Sequence, residues 1–67
     1  MKLYEEFLQD VEKNDWVNVA FTNNEMTGMK ITGVVTHINK SYDCFKIDWQ
    51  GVEMTIPFKN ITGYMIL

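Results

Sequence analysis

The side chains best suited to chemistry gather in one short stretch. His37 is the only histidine, Ser41 the only serine and Cys44 the only cysteine, with Asp43 between the last two and Asp48 just beyond. Nucleophilic catalysis at Ser41 would need His37 within hydrogen-bond reach of the hydroxyl, together with donors for an oxyanion. A polar turn produces such neighbours without any catalytic role, so no hydrolytic site is expected. His37, Asp43, Cys44 and Asp48 also lack the i, i+3 or i, i+4 helical spacing and the Cys-x-x-Cys spacing that bring metal ligands together. A surface histidine and a half-buried thiol are expected instead, with no metal and no cofactor. Asn39-Lys40-Ser41 and Asn60-Ile61-Thr62 fit the glycosylation acceptor pattern, which has no meaning without a secretory signal. There is no phosphate loop and no dinucleotide motif, and the chain does not read as an enzyme.

Binding is the remaining chemistry. Six lysines face nine acids, for a net charge of -3, and arginine is absent. Up to Asp15, Lys2 and Lys13 stand against Glu5, Glu6, Asp10, Glu12 and Asp15, a net of -3, while the rest of the chain is balanced. Arginine supplies the fork that clamps phosphate or reads guanine, so a chain without it is a poor autonomous nucleic-acid binder. Lys30, Lys40, Lys46 and Lys59 would have to converge by oligomer symmetry to serve that purpose. Trp16, Tyr42 and Tyr64 fall on outward phases or at a turn. Exposed aromatics of this kind anchor protein interfaces or stack on bases, and the missing positive charge favours a protein.

At 67 residues the chain is expected to form a single domain, 1–67. Its 46% hydrophobic content is too high for disorder. A domain of this size buries only about 60% of the surface of its unfolded chain, so added burial from a second copy is expected. A lone cysteine excludes an intrachain disulfide. The start Met1-Lys2-Leu3-Tyr4-Glu5-Glu6 leads into no long apolar run, so neither a signal nor a membrane span is expected, and the location is expected to be cytoplasmic.

Leu3, Tyr4, Phe7, Leu8 and Val11 repeat at helical spacing and predict an amphipathic helix over 2–13, a lid with an acidic outer face. Lys13 would lie near its last turn, where it complements the macrodipole, and Asn14 would mark its stop, either as the residue in a left-handed conformation or just after it. From Trp16 the period becomes 2: Val17, Val19 and Phe21 mark a strand to Thr22. After the turn Asn23 to Gly28, a second strand spans Met29 to Asn39. Its pattern slips at Gly33, which predicts a bulge or bend there. Cys44 to Trp49 is a third strand, and Gln50-Gly51 a short hairpin. The fourth strand places Val52, Met54, Ile56 and Phe58 on one face and ends at Pro57. A tight turn, Phe58 to Asn60, leads to a last strand from Ile61 to Leu67. Phe21, Phe45, Trp49 and Phe58 are expected in the core.

One helix and five strongly bent antiparallel strands, over 16–67, describe an Sm-like or SH3-like small barrel. The runs Val17-Asn18-Val19-Ala20-Phe21, Ile31-Thr32-Gly33-Val34-Val35-Thr36-His37-Ile38-Asn39, Phe45-Lys46-Ile47 and, above all, Ile56-Pro57-Phe58-Lys59-Asn60-Ile61 resemble the YolD-like proteins of Gram-positive bacteria and their phages. The likeness covers about residues 16 to 66. The lead-in is shorter here than in that family, and Asn39 stands where an aspartate is common. The resemblance implies an accessory or regulatory role near error-prone Y-family polymerases and the DNA-damage response, or in phage–host regulation, and no catalytic residues.

Two functions follow as expectations. The first is a non-catalytic, homo-oligomeric interaction module. Its partner face would use Glu5, Glu6, Asp10, Glu12, Trp16 and Tyr42, and its seam would use Met54, Ile56, Tyr64, Met65, Ile66 and Leu67 along the last two strands. The second is Sm-like binding of nucleic acid or a small nucleotide through Lys30, Lys40, Lys46 and Lys59.

Overall fold

The computed structural model describes residues 3–23, 25 and 27–67, and at Leu3 the backbone alone. The elements are α1 (Leu3–Asp10), β1 (Trp16–Thr22), β2 (Gly28–Asn39), β3 (Cys44–Trp49), β4 (Val52–Pro57) and β5 (Ile61–Ile66). Two 3-10 turns, Lys40–Tyr42 and Phe58–Asn60, lie between β2 and β3 and between β4 and β5. The chain is mainly β, with five antiparallel strands in one sheet of order β4-β3-β2-β1-β5.

The expected barrel is not closed, because β4 and β5 are the two sheet edges and share no ladder. A flat sheet would hold those edges about 19 Å apart, four strand spacings of about 4.8 Å. The three-residue turn joining them advances only about 6 Å. The sheet therefore curls until the end of β4 meets the start of β5, and the molecule is nearly isometric, 25 × 25 × 23 Å.

The alternation read in the sequence sets the inner face. Val17, Val19 and Phe21 of β1, Ile31 and Val35 of β2, Phe45 and Ile47 of β3, and Ile56, Phe58 and Ile61 are all buried. Phe7 and Val11 plug the open end of the curl. The Phe7 ring lies 4.7 Å from Phe45, 6.3 Å from Phe58 and 5.4 Å edge-on from Tyr64. Such ring pairs add about 0.5–1.5 kcal/mol each beyond their burial. Trp49, expected in the core, is only half-buried at its margin.

Several boundaries differ from expectation. Lys2 lies outside the described residues, and α1 stops at Asp10, so Lys13 is not in the helix and offers nothing to its dipole. The chain turns instead because Asp15 Oδ2 accepts the Glu12 N–H at 2.9 Å. Asn14 does adopt a positive φ of 78°, four residues past the helix. There its N–H donates to the Val35 carbonyl at 2.7 Å, while Val35 N–H donates to Asp15 at 3.0 Å.

Gly33 is not the slip. Ile31, Gly33 and Val35 keep one inward phase, and the register between β2 and β3 shifts past Val35, with Thr36 the extra residue. Gly33 serves a close approach instead, since a Cβ there would lie 2.1 Å from the Asp48 carbonyl oxygen. Val34 is where β2 passes from β1 to β3, pairing with both Trp16 and Asp48. Val52, placed inward by alternation, is exposed because β4 overhangs the core at the Gln50-Gly51 hairpin. Of the turn after β1, Asn24 and Met26 lie outside the described residues. Asn23 Oδ1 accepts the N–H groups of Glu25 and Thr27, which ties that loop together.

Candidate functional site

The two 3-10 turns place most of the exposed chemistry. Asn39 caps the first turn, its side-chain oxygen accepting the Tyr42 N–H at 3.2 Å, and Asp43 follows in the left-handed region. Phe58 N–H donates to the Asp43 carbonyl at 2.9 Å, which fastens the second turn to the first. Between them opens a shallow cavity of about 500 Å³ lined by Tyr4, Tyr42, Asp43, Pro57, Phe58 and Lys59. Its floor is aromatic: Tyr4 stacks on Phe58 at 6.4 Å and Phe58 stacks on Phe45 at 6.2 Å. Tyr42 stands 79% exposed, its N–H held by the Asn39 side chain and that of the next residue, Asp43, by the Lys40 carbonyl. An aromatic held so is pre-organised for a partner, because little backbone freedom is lost on binding.

The expected partner residues divide. Glu5, Glu6, Asp10 and Glu12 are exposed on or just after α1, and Trp16 is exposed at the start of β1. Asp10 is engaged, accepting the Tyr64 hydroxyl at 2.8 Å. That phenol is pushed up from 10.0 to about 12, first by burial, then by the hydrogen bond and the negative charge of Asp10 and the charge of Glu6. Tyr64 is thus not an outward residue. It packs half-buried beneath the helix against Phe7 because Tyr64 pairs with inward Val19.

The two strands of the expected seam are the sheet edges, but not all of its side chains face outward. Ile56 is a core residue, paired with Phe45, and Met54 packs against the core. Met65, Ile66 and Leu67 are exposed, on the outer edge of the sheet. Leu67 N–H donates to the Trp16 carbonyl at 2.9 Å, so the apolar end of the chain lies beside Trp16.

The lysines are spread over β2 (Lys30), the first turn (Lys40), β3 (Lys46) and the second turn (Lys59). Lys46 is partly neutralised by Glu53, at 3.6 Å. Glu53 Oε2 also lies 3.7 Å from His37 Nδ1 and 3.1 Å from the Thr36 hydroxyl. This cluster was not read from the sequence. Its signal was the Val34-Val35 pair, which announces a slip but not that Thr36 takes it up.

Among the described residues no hydrogen bond joins Ser41 to His37, and no group of three or more His, Cys, Asp or Glu is placed to hold a metal ion. A second cavity of about 300 Å³ is lined by Lys13, His37, Ile38, Asn39, Cys44, Phe45 and Lys46. Among the described residues no helix is long and apolar enough to cross a membrane. No family model, curated protein or solved structure matches the chain.

Proposed function

We propose that the protein is a non-catalytic interaction module that self-associates through its free sheet edges and presents the Tyr4–Tyr42 cavity and the acidic face of α1 to a protein partner. In this reading the curled sheet is of the Sm-like or SH3-like kind, with a YolD-like accessory or regulatory role in the DNA-damage response or in phage–host regulation, and the location is cytoplasmic. The strand order and the short β4–β5 turn support that fold, as does the Ile56-Pro57-Phe58 segment.

The observation that carries self-association is the composition of β5. From Ile61 to Leu67 there is no charge and no proline. Met65 and Leu67 are 63% and 65% exposed beside Trp16 at 58%. Solitary sheet proteins blunt such an edge with lysine, proline or a covering loop, because its open N–H and C=O groups template another strand. Pairing β5 of one copy with β4 of the next is head-to-tail, and repeated rotation of that contact closes a ring. Light scattering at about 100 µM, a concentration suited to contacts of micromolar affinity, is expected to give an oligomer. Ile66→Lys, at an exposed edge position, is expected to give a folded monomer. A monomeric mass for the unaltered chain would refute the proposal.

The second reading, binding of nucleic acid or a small nucleotide, has one observation in its favour: Lys40 and Lys59 sit on turns that Phe58 and Asp43 fasten together. It requires binding of single strands that weakens steeply with salt, and no binding at low salt removes it.

A further inference from the structure

We propose that Thr36, His37 and Glu53 form a metal site on the outer face of the sheet, which takes zinc or a similar divalent transition ion through Thr36 Oγ1, His37 Nδ1 and Glu53 Oε2. The three atoms make a closed triangle. Nδ1 lies 3.2 Å from the Thr36 hydroxyl, that hydroxyl 3.1 Å from Oε2, and Oε2 3.7 Å from Nδ1. Zinc bonds of about 2.0–2.2 Å in tetrahedral array hold ligand atoms about 3.3–3.6 Å apart, so shifts of a few tenths of an ångström admit the ion. Its fourth position is left to water, since the His37 and Glu53 side chains are 60% and 46% exposed. An imidazole nitrogen beside a single carboxylate suits zinc and its neighbours rather than calcium or magnesium, which take oxygen ligands.

The bulge builds this triangle. Regular alternation sends neighbouring side chains to opposite faces of a sheet, and residues 36 and 37 would then share nothing. With Thr36 the extra residue of β2, both side chains meet Glu53, which reaches them from β4 across Lys46 of β3. Bulges re-aim side chains in this way beside functional sites. Lys46 Nζ holds the other carboxylate oxygen, Oε1, at 3.6 Å, so that Oε2 is the one turned to Thr36 and His37. The Thr36 hydroxyl has a second acceptor in the Lys46 carbonyl, 3.3 Å away, which keeps its proton bonded while a lone pair meets the ion. Because the third ligand is a hydroxyl, the set lies outside the groups of His, Cys, Asp and Glu among which no threefold cluster is found. An ion here would clip the bulge of β2 to the edge strand β4.

The test is an NMR titration of the full chain with zinc chloride at neutral pH, followed at the backbone amides and the His37 ring. Shifts are expected at Thr36, His37, Glu53 and their ladder neighbours, with a dissociation constant on the order of 0.1 mM. His37→Asn is expected to abolish binding, and Glu53→Gln to weaken it about tenfold or more. Thr36→Val, which keeps the shape and removes the hydroxyl, is expected to weaken it about threefold. Cys44→Ser, which removes the one thiol, and Glu25→Gln, which removes an acid in a distant loop, are expected to change nothing. Zinc at ten times the dissociation constant is expected to raise the melting temperature by about 6–11 °C, a rise that Glu53→Gln largely removes. The proposal is overturned if Cys44→Ser abolishes binding, if Glu53→Gln or Thr36→Val binds zinc as tightly as the unaltered chain, which would leave only a lone surface histidine, or if calcium shifts the same amides as zinc.

Discussion

Gly33→Ala adds one methyl group where the backbone of β3 crosses β2. The new Cβ would stand 2.1 Å from the Asp48 carbonyl oxygen, 2.9 Å from its carbon and 3.2 Å from Ile47 Cγ1. An ordinary C···O contact is about 3.3 Å or longer, so the strands must part by roughly 1.2 Å at this point. The obstacle is backbone, which no rotamer change removes. The parting falls at Val34, the residue that β2 shares between Trp16 and Asp48, so it loosens ladder hydrogen bonds to β3. Two weakened bonds at about 1 kcal/mol each and an overpacking cost of about 1–3 kcal/mol give roughly 3–5 kcal/mol. A 67-residue domain holds only about 3–10 kcal/mol in total. At about 4–8 °C per kcal/mol, the melting temperature is expected to fall by roughly 12–40 °C. Circular dichroism melts at one fixed protein concentration measure this, with Gly28→Ala as the control. A Cβ at Gly28 meets nothing within 4 Å, so the same chemical change there should be neutral or mildly stabilising. A Gly33→Ala melt within about 5 °C of the parent, on the same scale, or an equal loss in Gly28→Ala, would refute the close-approach argument.

Two further substitutions test the packing of the rim. Tyr64→Phe removes the hydrogen bond to Asp10 and is expected to cost about 0.5–1 kcal/mol at neutral pH, measured by urea titration. Because the folded phenol is raised from 10.0 to about 12, its contribution is complete below pH 10 and is lost as pH rises toward 12. The parent and Tyr64→Phe should therefore converge in stability across that window, and a gap that stays constant from pH 10 to 12 contradicts the assignment. Gln50 and Gly51 both hold positive φ, 53° and 82°, in the two-residue hairpin. Gln50→Asn, a residue that tolerates this conformation, is expected to stabilise by about 0.5 kcal/mol, seen as a higher urea midpoint with an unchanged slope.

The elements were legible where side chains alternate against a core. Val17, Val19 and Phe21, or Phe45 and Ile47, declare their face locally, so β1 and β3 end where the pattern ends. The Gln50-Gly51 hairpin and the turn after Pro57 were equally local, because each depends on the backbone chemistry of one or two residues. What failed was long-range. The stripe Leu3 to Val11 continues into a segment that Val35 captures for its own hydrogen bonds, which shortens the helix. In β2 the pair Val34-Val35 admits a slip on either side. Only the pairing with β3 decides for Thr36, and only the Asp48 carbonyl reveals why position 33 is glycine. Ile56 and Tyr64 do belong to the edge strands, but strand membership does not tell that the curl of the sheet draws the β4–β5 corner under α1 and turns their side chains inward.

The same division explains why the candidate sites were harder to read than the core. Each lies at a junction of elements distant in sequence: Tyr4 with Tyr42 and Pro57, Lys13 with His37 and Lys46, Trp16 with Leu67. A small sheet spends its inward side chains on filling the curl, so binding groups are left to turns, bulges and edges. Those places have no periodicity to betray them. The junctions are nevertheless fixed by backbone hydrogen bonds, from Asn14 to Val35, from Phe58 to Asp43 and from Leu67 to Trp16. Each site can therefore be altered at its exposed side chains while those bonds and the core remain, which makes the three surfaces separable by substitution. An effect of Tyr42→Ala or of Lys13→Gln on oligomer mass would mean that they are not separate surfaces but parts of one interface.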